Sequence, residues 1–237
     1  MKHYILVHGA WEGSWSWDKT SPVLEDNGHK VTAVDLPGSP GNKKDISDVT
    51  LESYVQEVVD VIDSLDEKVI LVGHSMAGAI ISQVAERIPE NLEKLIYVTA
   101  FMMKNDDSVI EVMQRDSGGE FLPELIFSQD HSYATAEAAT WRSKAFHDVD
   151  AQSISEVLSL VDGLAQATEP FMVKTAVTAQ NFGTVPKVYI RTIFDKMLSV
   201  EMQDELIAEW EVDEVYSLPS GHFPTLSMPE KLARLML

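Results

Sequence analysis

Short runs of consecutive apolar residues recur along the chain and are separated by stretches with helical spacing. Tyr4–Val7, Val31–Leu36, Val69–Val72, Leu95–Thr99, Val188–Ile193 and Val212–Leu218 read as strands. Most carry Val, Ile and Leu at adjacent positions, which fits strands covered on both faces of a parallel sheet. Between them, Leu51, Tyr54, Val55, Val58, Ile62 and Leu65 follow a helical period, with Thr50 placed as N-cap. Ala77–Ile88 reads as a helix that stops before Pro89, and Leu206–Trp210 and Glu230–Met236 also read as helical. Strands alternating with helices predict an α/β fold with a mostly parallel central sheet flanked by helices.

The rhythm breaks from Met102 to Gly183. That stretch holds Gly118-Gly119, the polar run Ser128–Thr135, and helical patches at Ala134–Phe146 and Ile154–Leu164. It is too long to be one loop, since structureless loops beyond about 15 residues are uncommon. It is expected to form a mainly helical cap, 102–183, over the C-terminal edge of a core built from 1–101 and 184–237. Ligands of open α/β sheets bind at that edge.

Composition narrows the chemistry. The 237 residues include 38 acidic and 18 basic side chains, a net charge of −20, and no Cys. Disulfides, thiolate metal sites and Cys nucleophiles are thereby excluded. The acidic balance, with no basic cluster beyond Lys43-Lys44, argues against nucleic acid and anionic membrane as partners. No apolar run approaches the ~18 residues of a membrane span. No targeting segment is read either, so the cytoplasm is the expected compartment.

The chemistry concentrates in Val69-Ile70-Leu71-Val72-Gly73-His74-Ser75-Met76-Ala77-Gly78. A strand, a sharp turn with Ser at its apex, and a helix make a nucleophile elbow. Gly73 and Ala77 supply the small neighbours that the strained turn needs. The Met76 N–H and the helix N-terminus can face an oxyanion. A Ser hydroxyl needs a base, and His222 follows the last predicted strand, where chain order Ser…Asp…His places it. The orienting carboxylate is assigned to Asp195, at the end of Val188–Ile193. Asp106, Asp107 and Asp204 are competitors. A second oxyanion donor, the Ala10 N–H, is expected from Val7-His8-Gly9-Ala10-Trp11, where Gly9 permits close approach.

Trp11, Phe101, Phe127, Trp141 and Phe223 are candidates for an apolar substrate site, with Met197 near them. Trp15 and Trp17 read as packing residues. His147-Asp148-Val149-Asp150 has metal-ligand residue types, but reads as a polar turn and helix cap, so no metal is expected.

These motifs resemble the α/β-hydrolase superfamily, and within it the branch of plant methylesterases, hydroxynitrile lyases and their bacterial cousins. Val7-His8-Gly9-Ala10-Trp11, Val34-Asp35-Leu36-Pro37-Gly38, Gly73 to Gly78, Tyr97–Phe101, Asp195-Lys196 and Gly221-His222 carry the resemblance along nearly the whole chain; the insertion matches loosely. The resemblance implies a Ser75–Asp195–His222 triad under a cap, oxyanion N–H groups at Ala10 and Met76, and no cofactor. Dimers are common in that branch.

The branch holds two chemistries. Some of its lyases need a Thr in the oxyanion loop and a Lys after the base, and tend to have an acidic residue before the nucleophile. This chain has Gly9, Phe223 and His74 there, which resembles the esterases. The expected function is a serine carboxylic ester hydrolase for small hydrophobic or aryl esters. The alternatives are a C–C lyase using the same triad and a ligand-binding receptor on the hydrolase scaffold.

Overall fold

A computed structural model describes residues 1–237. The core begins with β1 (His3–Val7), α1 (Ser21–Asp26), β2 (Lys30–Val34), α2 (Leu51–Asp63), β3 (Val69–His74), α3 (Ala77–Arg87) and β4 (Leu92–Val98). Then come α4 (Val109–Arg115), β5 (Ile126–Phe127), β6 (Tyr133–Thr135), α5 (Ala138–Thr140), α6 (Ala151–Val161), β7 (Gln166–Ala167) and α7 (Glu169–Met172). The chain closes with β8 (Lys187–Thr192), α8 (Val200–Ala208), β9 (Glu214–Leu218), α9 (Pro224–Ser227) and α10 (Pro229–Met236).

The main sheet has order β2-β1-β3-β4-β8-β9, and every pairing in it is parallel. Its apolar runs divide by the two-residue strand period. Ile5, Val7, Leu71, Leu95, Tyr97 and Tyr189 join the larger apolar core, with side chains of α2, α3 and α8. Tyr4, Leu6, Ile70, Val72, Ile96, Val98, Val188 and Ile190 join the other, with Leu24 of α1 and Leu232 and Met236 of α10. The sheet is therefore covered on both faces, as consecutive apolar residues predict.

The six predicted strands and the main helices are all present, with shifted ends. Val31–Leu36 stops at Val34 because the Leu36 N–H donates to His8 Nε2 (3.1 Å) and not to a strand. Val212–Leu218 starts at Glu214 because the Asp213 carboxylate accepts from Lys187 N at 2.8 Å and the Asp213 N–H donates to Lys187 O at 2.9 Å. Thr50 caps α2 as expected, in a reciprocal box with Ser53. No helix is long and apolar enough to cross a membrane.

The segment after β4 differs in detail from its helical reading. Its helices are joined by a three-stranded antiparallel sheet of order β5-β6-β7. Ala134–Phe146 is not one helix. It starts in β6, passes through the single turn of α5, and ends in a π-helical turn, Trp141–Ala145. Strands of two or three residues are too short to show an alternating pattern. What fixes β6 is long-range contact: the Trp11 indole N–H donates to Ala134 O at 3.0 Å.

Candidate active site

The site lies at the C-terminal ends of β1, β3, β4 and β8. Ser75 follows β3 with φ +54, the left-handed backbone of a strained elbow. Its carbonyl accepts from Gly78 N (3.0 Å) and Phe101 N (3.1 Å), which pins the turn. A Cβ on Gly73 would sit 2.9 Å from Ala77 O, so the position two before the Ser has to be Gly.

The residues predicted around Ser75 come together. His222 Nε2 lies 2.8 Å from Ser75 Oγ, and His222 Nδ1 lies 2.7 Å from Asp195 Oδ2. A carboxylate only accepts, so Nδ1–H donates to Asp195 and Nε2 accepts the Ser75 hydroxyl proton. Asp195 Oδ2 also accepts from Thr99 Oγ1 (2.6 Å) and Thr192 Oγ1 (3.0 Å), and Oδ1 from Met197 N (2.7 Å) and Leu198 N (3.0 Å). Burial alone would raise the Asp195 carboxyl. The His222 charge and these donors outweigh it and hold the carboxyl below its ordinary range. The three competitors lie elsewhere: Asp107 pairs with Arg115, Asp106 with Lys174, and Asp204 with Arg191.

Both expected oxyanion donors are free. The Ala10 and Met76 N–H groups have no protein acceptor, and both residues are buried. His8 sets the Ala10 loop. With Nε2 accepting from Leu36 N, its Nδ1–H donates to Gly9 O at 2.8 Å. Burial pushes the His8 ring toward its neutral form, which this bonding pattern requires. Trp11, at φ +59, gives its N–H to Gln166 Oε1 (3.0 Å), so β7 holds the loop from above.

A cavity of about 370 Å³ opens on Ser75 and His222. Trp11, Phe101 and Phe223 line it, with Ala10 and Met197. Two of the five predicted substrate contacts fall outside it. Phe127 lines an adjoining cavity of about 270 Å³, divided from the first by Trp11, Met113 and Phe171. Trp141 lines neither. It is fully buried and packs edge-on to Trp11 and against Phe121, at 5.8 and 5.2 Å between ring centroids. It shapes the wall from behind because the π-helical turn points it at the core.

Sequence reasoning missed Met113, Phe121, Phe171 and Glu12 in the cavity wall. The first three sit in the segment whose folding the sequence shows least. Glu12 has a readable signal, an acidic residue directly after the predicted oxyanion loop. It pairs with His74 (Nδ1 to Oε1, 2.8 Å), and both side chains are almost wholly buried. His147-Asp148 also has a structural task. Asp148 Oδ2 accepts from Gly221 N (2.7 Å) and Ser220 Oγ (3.2 Å), holding the loop that bears His222. Asp150 caps α6. No group of three or more His, Cys, Asp or Glu is placed to hold a metal.

Residues 4–235 match the alpha/beta hydrolase family. The chain belongs to that family. It is 32% identical to salicylic acid-binding protein 2 of Nicotiana tabacum, over 100% of this chain and 96% of the relative. To methylesterase 9 of Arabidopsis thaliana it is 30% identical, over 100% of this chain and 97% of the relative. Among solved structures, a pyrethroid hydrolase from Sphingobium faniae JZ-2 superposes with a TM-score of 0.88 at 28% identity, covering 99% of this chain and 95% of that one. Within the alpha/beta hydrolases, this chain falls in the plant methylesterase branch.

Proposed function

We propose that the protein is a serine carboxylic ester hydrolase acting on small hydrophobic or aryl esters. The observation that carries this reading is the continuous relay from Ser75 Oγ through His222 to Asp195, beside two unpaired N–H groups. Ser75 Oγ attacks the ester carbonyl as His222 Nε2 takes its proton. The Ala10 and Met76 N–H groups receive the oxyanion. Asp195 steadies the imidazolium, which then protonates the leaving alcohol. Water, activated by neutral His222, releases the acid and restores Ser75. The apolar wall favours hydrophobic acyl and alcohol groups. Phe223 next to His222 offers no cation for a leaving cyanide, which weighs against those lyases that use a Lys at this position.

Release of p-nitrophenol from p-nitrophenyl acetate and butyrate tests this, beside Ser75→Ala and a cyanide assay on mandelonitrile. Turnover that falls about 10⁴-fold or more in the variant, without cyanide release, is expected. Undiminished turnover in Ser75→Ala, or cyanide release without ester cleavage, contradicts the reading.

A further inference from the structure

Trp11 directly follows Ala10 and has φ +59, a left-handed backbone that a bulky side chain takes only where its surroundings impose it. Two contacts impose it here, and both come from one position of the small sheet in segment 102–183. The Trp11 main-chain N–H donates to Gln166 Oε1 (3.0 Å), and its indole N–H donates to Ala134 O (3.0 Å). Gln166 in β7 and Ala134 in β6 face each other in the antiparallel register. The Gln166 amide is itself oriented. Its Nε2 donates to Tyr54 Oη (2.9 Å) and Ala167 O (3.2 Å), which turns Oε1 to Trp11. Gln166 is buried and lines the adjoining cavity, not the one that opens on Ser75. On the other side of Ala10, His8 Nδ1–H holds Gly9 O (2.8 Å). The peptide units before and after Ala10 are thus each tied by one side chain, and the free Ala10 N–H sits between the ties.

We propose that Gln166 is a positioning residue that keeps the Ala10 N–H aimed at a developing oxyanion. The proposal rests on the esterase reading for the existence of that oxyanion. Without Gln166 Oε1 the buried Trp11 N–H has no acceptor, and Trp11 loses a bond that keeps its φ positive. The Ala10–Trp11 peptide then turns toward the ordinary backbone region, and the Ala10 N–H moves with it. The loss falls on the tetrahedral species and not on the bound ester. An oxyanion needs its N–H donors within hydrogen-bond reach, whereas an uncharged ester is held by the apolar wall.

The test compares two ligands of one skeleton by calorimetry. Benzyl trifluoromethyl ketone is open to attack by Ser75: the bond from Oγ to the carbonyl carbon forms, the carbonyl π pair moves to oxygen as the oxyanion, and the Ser75 proton passes to His222 Nε2. The corresponding secondary alcohol forms neither bond nor oxyanion. The wild type is expected to bind the ketone about a hundredfold or more tightly than the alcohol. Gln166→Met has a similar length and no acceptor oxygen. It is expected to weaken the ketone about tenfold to a hundredfold, with kcat for p-nitrophenyl butyrate falling by a similar factor, while alcohol affinity and KM hold.

Gln166→Glu keeps an acceptor for the Trp11 N–H and should recover most of the ketone affinity. Tyr54→Phe removes one partner of Gln166 Nε2 from outside both cavities, and should give a smaller loss of the same kind. A merely structural role for Gln166 would lower stability, or both affinities together, and leave the ketone-to-alcohol ratio as in the wild type. An unchanged ratio in Gln166→Met overturns the proposal, as does a loss in Gln166→Glu as large as in Gln166→Met. If Gln166→Met does not fold, the ratio in Tyr54→Phe decides. Failure of the esterase reading shows separately: the wild type then binds the ketone no more tightly than the alcohol and releases no p-nitrophenol.

Discussion

His74 donates from Nε2 to the main-chain carbonyl of His222, 2.8 Å away, while its Nδ1 donates to Glu12. Both ring nitrogens face acceptors, so the ring is an imidazolium. The residue just before Ser75 thus holds the loop of His222 and the end of the Ala10 loop at once. Removing it leaves the Glu12 charge buried and unpaired. His74→Phe is expected to cost about 3–5 kcal/mol of stability, and adding Glu12→Leu should recover most of it. Urea denaturation of the single and double variants checks this. A double variant as unstable as the single one would show that the pair is not the source of the loss.

The same pair gives stability a pH window. Burial opposes charge on both groups, but their mutual attraction and hydrogen bond prevail, so the His74 value is raised and that of Glu12 lowered. A raised His contributes fully below its unfolded value, about 6.5, and loses this as pH rises through its folded value. A lowered Glu contributes fully above about 4.3 and loses this as pH falls through its folded value. The Tm of the wild type minus that of the His74→Phe/Glu12→Leu double variant should therefore peak between about pH 4.3 and 6.5 and fall on both sides. A difference that does not change with pH would mean the pair is not ionised.

Gly78 allows α3 to approach the chain leaving β4. A Cβ there would lie 2.6 Å from Phe101 N and 2.7 Å from Phe101 O, both backbone atoms that cannot swing away. Gly78→Ala should destabilise the protein by about 1–3 kcal/mol despite the better helix propensity of Ala. It should also raise KM, since Phe101 lines the cavity. Unchanged stability in denaturant would show that the strand–helix contact is not tight.

The central sheet was legible because each strand is buried on both faces and so reads as an unbroken apolar run. Ser75 and His222 were legible because a strained turn demands small neighbours and because the base follows the last strand. Asp195 needed a choice among carboxylates, because its contact with His222 joins residues 27 apart and its donors Thr99 and Thr192 come from two different strand ends. The segment 102–183 was only partly readable. Strands as short as Ile126–Phe127 leave no period, and Trp141 looks like a substrate contact until the π-helical turn is seen to bury it. The Glu12–His74 pair joins residues 62 apart, and nothing in either local sequence announces the other.

The central claim is that Ser75 becomes acylated. The most direct test is acid quenching of the reaction with p-nitrophenyl butyrate within the first turnover, followed by mass spectrometry of the chain and its peptides. The account predicts one butyryl group per chain, located on Ser75, formed with a stoichiometric burst of p-nitrophenol and absent from Ser75→Ala. Ester turnover with no adduct at Ser75, or an adduct on another residue that persists in Ser75→Ala, would contradict it.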